Sequence, residues 1–459
     1  MQSLTNTLYD ELRIGQAASL SRTLTAQDIV AFAGVSGDVN PAHLDHDYAN
    51  RSPFEGVIGH GMWTGALVST LLGTKLPGPG TIYVAQSFSF RAPVRVGDTL
   101  DVTITVREKR AGGRVLFDCA VTNQEGADVL SGEAEVIAPG EKTTVPAPEA
   151  PVLLVGEVGD RLLGLVQRAK RVRTLTVGVV HPVDRASLAG AMDAVREQLV
   201  SAVLIGPEHK IRRAADEAGI DISGSTIIDA PHSHAAGETA AAMAGRGELD
   251  ALMKGALHTD EILAPVLDRQ YQLRTERRLS HCYLMDAPAY HKLLVITDAA
   301  VNITPSLAQK ADILRNAGDL CRAIGVPQPK AAILSAIETV NADIPSTLDA
   351  AALCKMVDRG QIKGILADGP LALDNAISAA AVKAKGIVSD VAGDPDILLV
   401  PDLVSGNMLA KQLDYLGGAV AAGIVLGARV PIILTSRAEG RLPRLASCAL
   451  ACLLADAQP

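Results

Sequence analysis

Asp38-Val39-Asn40-Pro41-Ala42-His43 is the most informative stretch of this 459-residue chain. It follows a helix-like segment, residues 26–35, and precedes a Gly-His-Gly turn at residues 59–61. The Asn-Pro pair predicts a tight loop, so the acid and the imidazole are expected to share one water molecule. Such a pair suits the addition of water to an activated double bond. The stretch lies in a tract that fills less than a third of the chain, so the remainder must carry something else.

The residues after this loop predict a sheet wrapped around one helix. Residues 62–72 form a helix candidate without a clear polar face, and a surrounding sheet buries such a helix most easily. Four runs then alternate apolar and polar residues between Gly and Pro, as strands with one covered face do. They are residues 87–91, 99–108, 114–123 and 127–137. Residues 1–138 are therefore predicted to form an α+β domain.

A second region follows a Pro-rich, charged segment, residues 139–154, which predicts a semi-extended linker. From residue 155 to 459, short β-runs alternate with Ala-rich helical patterns, as in a parallel α/β sheet. The apolar stretch 416–435 is broken by glycines, Arg429 and Pro431, so it predicts a helix, a turn and a buried strand. The β-runs are residues 175–180, 202–205, 225–228, 293–297, 330–334, 364–367, 396–400 and 430–434.

Composition narrows the class of protein. A hydrophobic fraction of 48% with 3% aromatics favours α/β layers, and the length favours two or three domains. The net charge of -9 argues against nucleic acid as a partner, and no stretch predicts a membrane span or a leader. The six cysteines include no CxxC pair, which predicts free thiols in a reducing cytoplasm.

The first tract resembles the MaoC-type (R)-specific enoyl-CoA hydratases. The resemblance rests on residues 36–43 and 59–62, with further matches at 90–94 and 96–98, and it covers about residues 5–138. It implies a hot-dog fold that dimerises edge to edge, with Asp38 and His43 as the catalytic pair. It also implies a trans-2-enoyl-CoA substrate and a (3R)-hydroxyacyl-CoA product.

Helix-terminal amides near Gly61 can supply an oxyanion hole, since free N–H groups lie at helix starts. Asn40 and Gly61 are accordingly expected to contact the substrate, and His60 is expected to cap the helix. A structural alternative stays open from the residues alone. In it, Asp38 caps a turn and His43 packs on the sheet.

The second region has neither a Walker A loop nor a GxGxxG fingerprint after its first strand. Polar clusters instead follow its predicted strands, where α/β folds place their sites, although each is also typical of a structural turn. The residues expected to bind substrate are Lys254, Arg278, Asp298, Asn302, Asp368 and Asn407.

Taken together, these clusters resemble the phosphate acetyl/butyryltransferase family over about residues 155–458. Residues 277–302 and 434–437 look closer to its phosphotransbutyrylase branch. The resemblance implies acyl transfer between coenzyme A and inorganic phosphate in a two-lobe α/β domain like that of the isocitrate and isopropylmalate dehydrogenases. Ser436 and Arg437 match the catalytic Ser-Arg pair, and an arginine fork beside a hydroxyl suits phosphate. The family's aspartate six residues further on is Pro443 here, and the nearest acid is Glu439, which leaves the general base open.

The leading hypothesis is a bifunctional enzyme, with a hot-dog hydratase followed by a two-lobe phosphate acyltransferase. Its substrates are coenzyme A thioesters and phosphate, with no tightly bound cofactor and no metal. An alternative gives the hot-dog domain only a dimerising or acyl-CoA-sensing role. A third, oxidation by a dehydrogenase-like second domain, is disfavoured because clustered metal-binding aspartates are absent from the sequence. A homo-oligomer is expected because both parent folds usually dimerise.

Overall fold

A computed structural model describes residues 3–148, 159–434 and 440–457, with the backbone alone for His46 and Asp47. The chain divides into two compact units, Met1–Gly156 and Glu157–Pro459. Each unit is described by itself.

The N-terminal unit combines a β-sheet with a few helices. Its strands are β1 (Ser3–Thr5), β2 (Ala17–Thr23), β3 (Ile82–Phe90), β4 (Thr99–Arg110), β5 (Arg114–Thr122), β6 (Asp128–Ile137) and β7 (Thr144–Pro146). Its helices are α1 (Ala26–Ser36), α2 (Pro41–Leu44), α3 (His46–Arg51) and α4 (Gly61–Thr74). Five strands form an antiparallel sheet in the order β2-β4-β5-β6-β3.

Helix α4 is the core helix that the sequence predicts. Val68, Leu71 and Leu72 on α4 are buried, and so are Val102 and Ile104, which alternate with more exposed residues along β4. This alternation gives the sheet one covered face, because successive side chains of a strand point to opposite sides. The prediction of an apolar helix against an antiparallel sheet is confirmed.

Part of the predicted linker belongs to the N-terminal unit. Residues 144–146 form β7, which pairs antiparallel with β1 at the start of the chain. The side chain of Asn6 reinforces this pairing by donating to the carbonyl of Glu141 (2.8 Å) and accepting from the amide of Thr143 (2.9 Å). The prediction of a semi-extended linker is therefore wrong for this stretch, since strand pairing fixes it on the unit.

The C-terminal unit is built on a single large sheet flanked by helices. Its strands are β8 (Leu175–Val180), β9 (Val200–Gly206), β10 (Thr226–Asp229), β11 (Ala251–Lys254), β12 (Ser280–Asp286), β13 (Leu294–Thr297), β14 (Lys330–Leu334), β15 (Leu366–Leu371), β16 (Ile397–Leu399), β17 (Val420–Leu426) and β18 (Ile432–Ile433). Its helices are α5 (Asp160–Ala169), α6 (Arg185–Arg196), α7 (Glu208–Ala218), α8 (Ser233–Gly245), α9 (Thr259–Leu267), α10 (Leu307–Ala323), α11 (Pro345–Asp358), α12 (Leu373–Ile377), α13 (Ala379–Lys385), α14 (Leu403–Tyr415) and α15 (Arg441–Ala457).

The 11-stranded sheet of this unit has the order β10-β9-β8-β11-β18-β17-β12-β13-β16-β14-β15. Parallel pairing was expected throughout, but β17 and β12 pair antiparallel with each other and with their outer neighbours. The expected helix in the stretch 416–435 is instead strand β17. These three antiparallel pairings place the carboxyl ends of β8 and β11 at one edge of the sheet and those of β13, β16 and β14 at the opposite edge.

The helices that cover this sheet are largely apolar on their inner sides. Helix α15 is buried along most of its length, including Leu450, Cys448 and Cys452. All six cysteines are free, five of them buried, so the prediction of unpaired thiols is confirmed. In the described part of the chain, no helix is both long and apolar enough to cross a membrane.

Candidate active sites

The Asp38 loop is ordered by local capping. Helix α1 starts with a capping box between Thr25 and Asp28 and ends at Gly37, whose φ of 76° is left-handed. Oδ1 of Asn40 accepts from the amide of Ala42 (3.1 Å), so Asn40 caps α2. The Asn40 side chain, expected to bind substrate, is thus engaged in holding the loop.

The ring of His43 is oriented by a backbone carbonyl and lies beside Asp38. Its Nδ1 lies 2.8 Å from the carbonyl oxygen of Ile58. Because a carbonyl only accepts, Nδ1 carries the proton and Nε2 of the neutral ring keeps its lone pair. Polar atoms of Asp38, His43 and His60 lie within 4.8 Å of one another. The structure therefore brings together the acid and the imidazole of the predicted catalytic pair.

His60 contacts both members of this pair. It is 2% exposed, its Nε2 lies 3.0 Å from the backbone oxygen of Asp38, and its ring centroid lies 3.9 Å from that of His43. His60 precedes α4, but its side chain makes no capping hydrogen bond, so the expectation of a helix cap is wrong. Sequence reasoning missed its contacts because they join His60 to residues 17 and 22 positions earlier in the chain.

A largely apolar cavity of about 320 Å³ opens beside this group. Its walls include Phe54, Ile58, Phe90 and Val129, and His43 and Gly61 lie on its lining. A Cβ added to Gly61 would approach the ring of Phe90 to 3.2 Å, so glycine leaves the start of α4 accessible. The site combines an apolar wall, a titratable ring and helix-terminal amides, which suits an acyl chain with a carbonyl at one end.

The same three side chains form a donor set of the kind that binds transition metals. However, the rings of His43 and His60 are inclined by only 33° and stacked. Imidazole nitrogens bind an ion in the plane of the ring, so two stacked rings cannot readily point at one ion. The geometry favours the use of these side chains as an acid–base pair with a stacked neighbour.

In the C-terminal unit, four of the residues expected to bind substrate lie together. Nε of Arg278 donates to Oδ1 of Asn302 (2.7 Å), and Nδ2 of Asn302 donates to the carboxylate of Asp298. Nδ2 of Asn407 donates to the carbonyl of Ala299 (3.2 Å). This cluster lies where β13 ends and β12 begins, so the antiparallel pairing of these strands creates it.

Asp298 organises the loop that follows β13. Its carboxylate accepts the amides of Ala300, Val301 and Asn302 at 3.0 to 3.1 Å, and the residue is 2% exposed. Burial raises the pKa of Asp298, opposed by these hydrogen bonds. With its lone pairs used by the backbone, Asp298 serves first to shape the loop.

The other predicted residues lie apart from this cluster. Lys254 ends β11, whose carboxyl end is at the opposite edge of the sheet, and Asp368 lies within the outermost strand β15, where Oδ1 accepts the amide of Gly369 (2.8 Å). The six residues therefore do not form one site. Ser436, Arg437 and Glu439 lie outside the described residues, and Pro443 is in α15.

Near Lys254 the structure adds a residue that the sequence reasoning missed. His181 follows β8, has a left-handed φ of 56°, and its Nδ1 donates to the carbonyl of Ala256 (3.0 Å). A Cβ at Gly255 would lie 2.3 Å from the carbonyl oxygen of Val180, so only glycine fits there. The one available signal was position, since His181 directly follows a predicted strand.

Comparison with known proteins supports two families in one chain. The family model "Phosphate acetyl/butaryl transferase" matches residues 232–451, and "MaoC like domain" matches residues 12–126. A phosphate acetyltransferase of Rhizobium meliloti is 54% identical over 64% of this chain and 93% of its own length.

Two solved structures add to this. A branched-chain phosphotransacylase from Enterococcus faecalis V583 is 28% identical, with a TM-score of 0.55, and the match covers 61% of this chain and 99% of that one. The R-hydratase PhaJ1 from Pseudomonas aeruginosa is 44% identical over 34% of this chain and all of its own, with a TM-score of 0.33.

The C-terminal unit thus has the phosphotransacylase fold, and the N-terminal unit is a MaoC-like hot-dog domain. The chain belongs to the phosphate acetyl/butyryl transferase family. Both resemblances seen in the sequence are confirmed at this level.

Proposed function

We propose that this chain is a bifunctional enzyme of acyl-CoA metabolism. Its N-terminal unit hydrates a trans-2-enoyl-CoA to the (3R)-hydroxyacyl-CoA, and its C-terminal unit transfers an acetyl or butyryl group between coenzyme A and phosphate. Membership of the transferase family supports the second activity. The proximity of Asp38 and His43 beside an apolar cavity is the observation that carries the first.

The proposed hydratase step uses the groups around His43. A water held between the Asp38 carboxylate and Nε2 of His43 gives up a proton as its oxygen bonds to C3 of the enoyl group. The double-bond electrons move onto the thioester oxygen, where amides at the start of α4, near Gly61, stabilise the negative charge. The proton then passes to C2, and the thioester carbonyl re-forms.

In the transferase step, a phosphate oxygen attacks the thioester carbonyl, and the tetrahedral intermediate collapses to an acyl phosphate and coenzyme A. Arg437 and Ser436 are proposed to hold the phosphate and the developing charge, and the leaving thiolate takes up a proton. Lys254 lies at the edge of the sheet towards which β18 also runs, since β11 and β18 are parallel. It is proposed to hold further negative charge of the substrates.

The hydratase assay follows the loss of enoyl absorbance from crotonyl-CoA. The wild-type chain should hydrate it, and Asp38→Asn should abolish the activity, because the amide cannot accept the proton. Asp10→Asn, an exposed change elsewhere in the unit, is the matched control and should leave the rate unchanged. An inactive wild type sinks the hydratase assignment.

The transferase assay follows phosphate-dependent release of coenzyme A from acetyl- and butyryl-CoA. Arg437→Ala should reduce it by at least about 100-fold, because the phosphate loses a charged, bidentate donor. Arg213→Ala, which removes an exposed arginine 3.7 Å from Glu217, is the control. If Arg437→Ala retains full activity, the phosphate site is misplaced.

Several further properties belong to the same proposal. The functional domains are taken as residues 1–138 and 155–459, joined by 139–154, in a cytoplasmic homo-oligomer without a tightly bound cofactor. The likeness of the second domain to isocitrate and isopropylmalate dehydrogenases also stays a prediction. The alternative, a hot-dog domain that only dimerises or senses acyl-CoA, predicts that the wild type does not hydrate crotonyl-CoA and that Asp38→Asn leaves acyl transfer unchanged.

A further inference from the structure

His60 is a polar side chain buried where it makes few polar contacts. It is 2% exposed at the position before α4, yet it does not cap that helix. Its Nδ1 is buried without a hydrogen-bond partner among the described residues. A buried, unpartnered nitrogen lowers stability, so packing alone would favour an apolar ring here. The imidazole must therefore supply something that such a ring does not.

The hydrogen bond made by Nε2 of His60 supplies that answer. Nε2 lies 3.0 Å from the backbone oxygen of Asp38, which can only accept, so Nε2 carries the proton. This bond ties α4, where the amides near Gly61 begin, to the loop that carries the carboxylate. It fixes the distance between two parts of the proposed hydratase site that are separated in sequence.

The ring itself fixes the third part of that site. It contacts the ring of His43, with centroids 3.9 Å apart, and the ring of Phe32, with centroids 5.1 Å apart. His43 is held at its other side by the carbonyl of Ile58. The imidazole of His43 is thus confined between a stacked ring and one hydrogen bond, which restricts where Nε2 points.

We infer that His60 is a positioning residue of the hydratase, which holds the Asp38 carboxylate, the His43 imidazole and the start of α4 in register. The inference rests on the proposed hydratase function. His60 touches no reacting atom in this account; it acts through the residues that do. Small errors in the placement of an acid–base pair lower the rate of turnover more than they weaken substrate binding. A substitution of His60 should therefore lower kcat more than it raises KM.

Two substitutions separate the two contacts. His60→Phe keeps a ring against His43 but loses the N–H donor, whereas His60→Gln keeps a donor at the position of Nε2 but loses the ring. For crotonyl-CoA hydration, His60→Phe should lower kcat by roughly 10- to 100-fold with KM within about threefold. His60→Gln should recover part of the loss. A purely structural role would not give this split or this rescue.

Phosphate-dependent release of coenzyme A, measured on the same preparations, verifies that the chain is intact and should be unchanged. If His60→Phe fails to fold, His60→Asn replaces it, since its shorter amide places the donor near Nδ1 and should not rescue as His60→Gln does. If the wild type hydrates crotonyl-CoA and His60→Phe does so with the same kcat, the inference is overturned but the proposed hydratase function is not. A wild type without hydratase activity overturns the proposed function and the inference together.

Discussion

In the N-terminal unit the acid and the imidazole come from six consecutive residues, whereas in the C-terminal unit the expected residues come from strands that run in opposite directions. Asp38 and His43 meet because a left-handed glycine and a capping asparagine fold one short loop. Lys254 and Arg278 lie at opposite edges of the sheet because Lys254 ends β11, whereas Arg278 precedes β12, which runs in the same direction as β11.

This comparison teaches how far local sequence determines a site. A loop motif contains its own geometry, because capping and turn residues act over a few positions. A site at the ends of strands depends on strand order and direction, which local patterns do not specify. Each unit should consequently respond to mutation on its own, and the following expectations test that independence.

The largest effect is expected from His43→Ala. Removing the ring that lies beside Asp38 should lower kcat for crotonyl-CoA hydration by about 100- to 10,000-fold, the range of general acid–base catalysis. Phosphate-dependent release of coenzyme A should stay at the wild-type rate. His209→Ala, an exposed histidine in α7, serves as control. A parallel loss of both activities would refute the independence of the two units.

Asp298→Ala should destabilise the C-terminal unit. It leaves the amides of residues 300–302 and Nδ2 of Asn302 without their acceptor, which should cost about 3 kcal/mol of unfolding free energy. Hydrogen exchange measured by mass spectrometry should show faster exchange in residues 298–302. Exposed Asp216→Ala is the control. Unchanged exchange at residues 298–302 would rule out the loop-organising role.

His281 should make the C-terminal unit sensitive to acid. Burial lowers the pKa of His281 from 6.5 to about 3, so its contribution to stability is present above pH 6.5 and is lost as pH falls towards 3. Between about pH 7.5 and pH 5.5 the wild type should lose about 1.4 kcal/mol more unfolding free energy than His281→Gln.

The same substitution at exposed His209 should leave the wild-type pH dependence in place. Urea unfolding followed by circular dichroism at both pH values gives the comparison. If the unfolding free energy of His281→Gln falls with pH as steeply as that of the wild type, His281 is not the acid-sensitive group.

Thr25→Ala should have the smallest effect and should fall on the N-terminal unit. It removes the side-chain oxygen that accepts from the amide of Asp28, a loss of about 1 kcal/mol. Trp63, the single tryptophan, is buried on α4 and reports unfolding of this unit by fluorescence in urea. Thr70→Ala, on the exposed side of α4, should be close to neutral. Equal urea midpoints of unfolding for Thr25→Ala and Thr70→Ala would contradict the capping role.

Much of each unit was predictable from sequence. Strands β4, β5, β6, β8 and β14 and helices α1 and α4 agree with their predicted positions within about two residues, because strong hydrophobic periodicity marks them. Strand β17 was mistaken for a helix, since a short apolar run looks alike in both structures.

For the sites, the proximity of Asp38 to His43 was predictable, because both lie on one loop. The contacts of His60 with Asp38 and His43 were not, since they depend on how α4 enters the sheet. The cluster of Arg278, Asp298 and Asn302 was recognised residue by residue, but its role in a loop emerged only from the buried amides around Asp298.

Two independent active sites in one chain is the central claim, and a crossed pair of assays tests it most directly. Crotonyl-CoA hydration and phosphate-dependent release of coenzyme A are measured on single preparations of the wild type, Asp38→Asn and Arg437→Ala. The account predicts both activities in the wild type, loss of hydration alone in Asp38→Asn, and loss of acyl transfer alone in Arg437→Ala. A wild type that transfers acyl groups but does not hydrate crotonyl-CoA would contradict it.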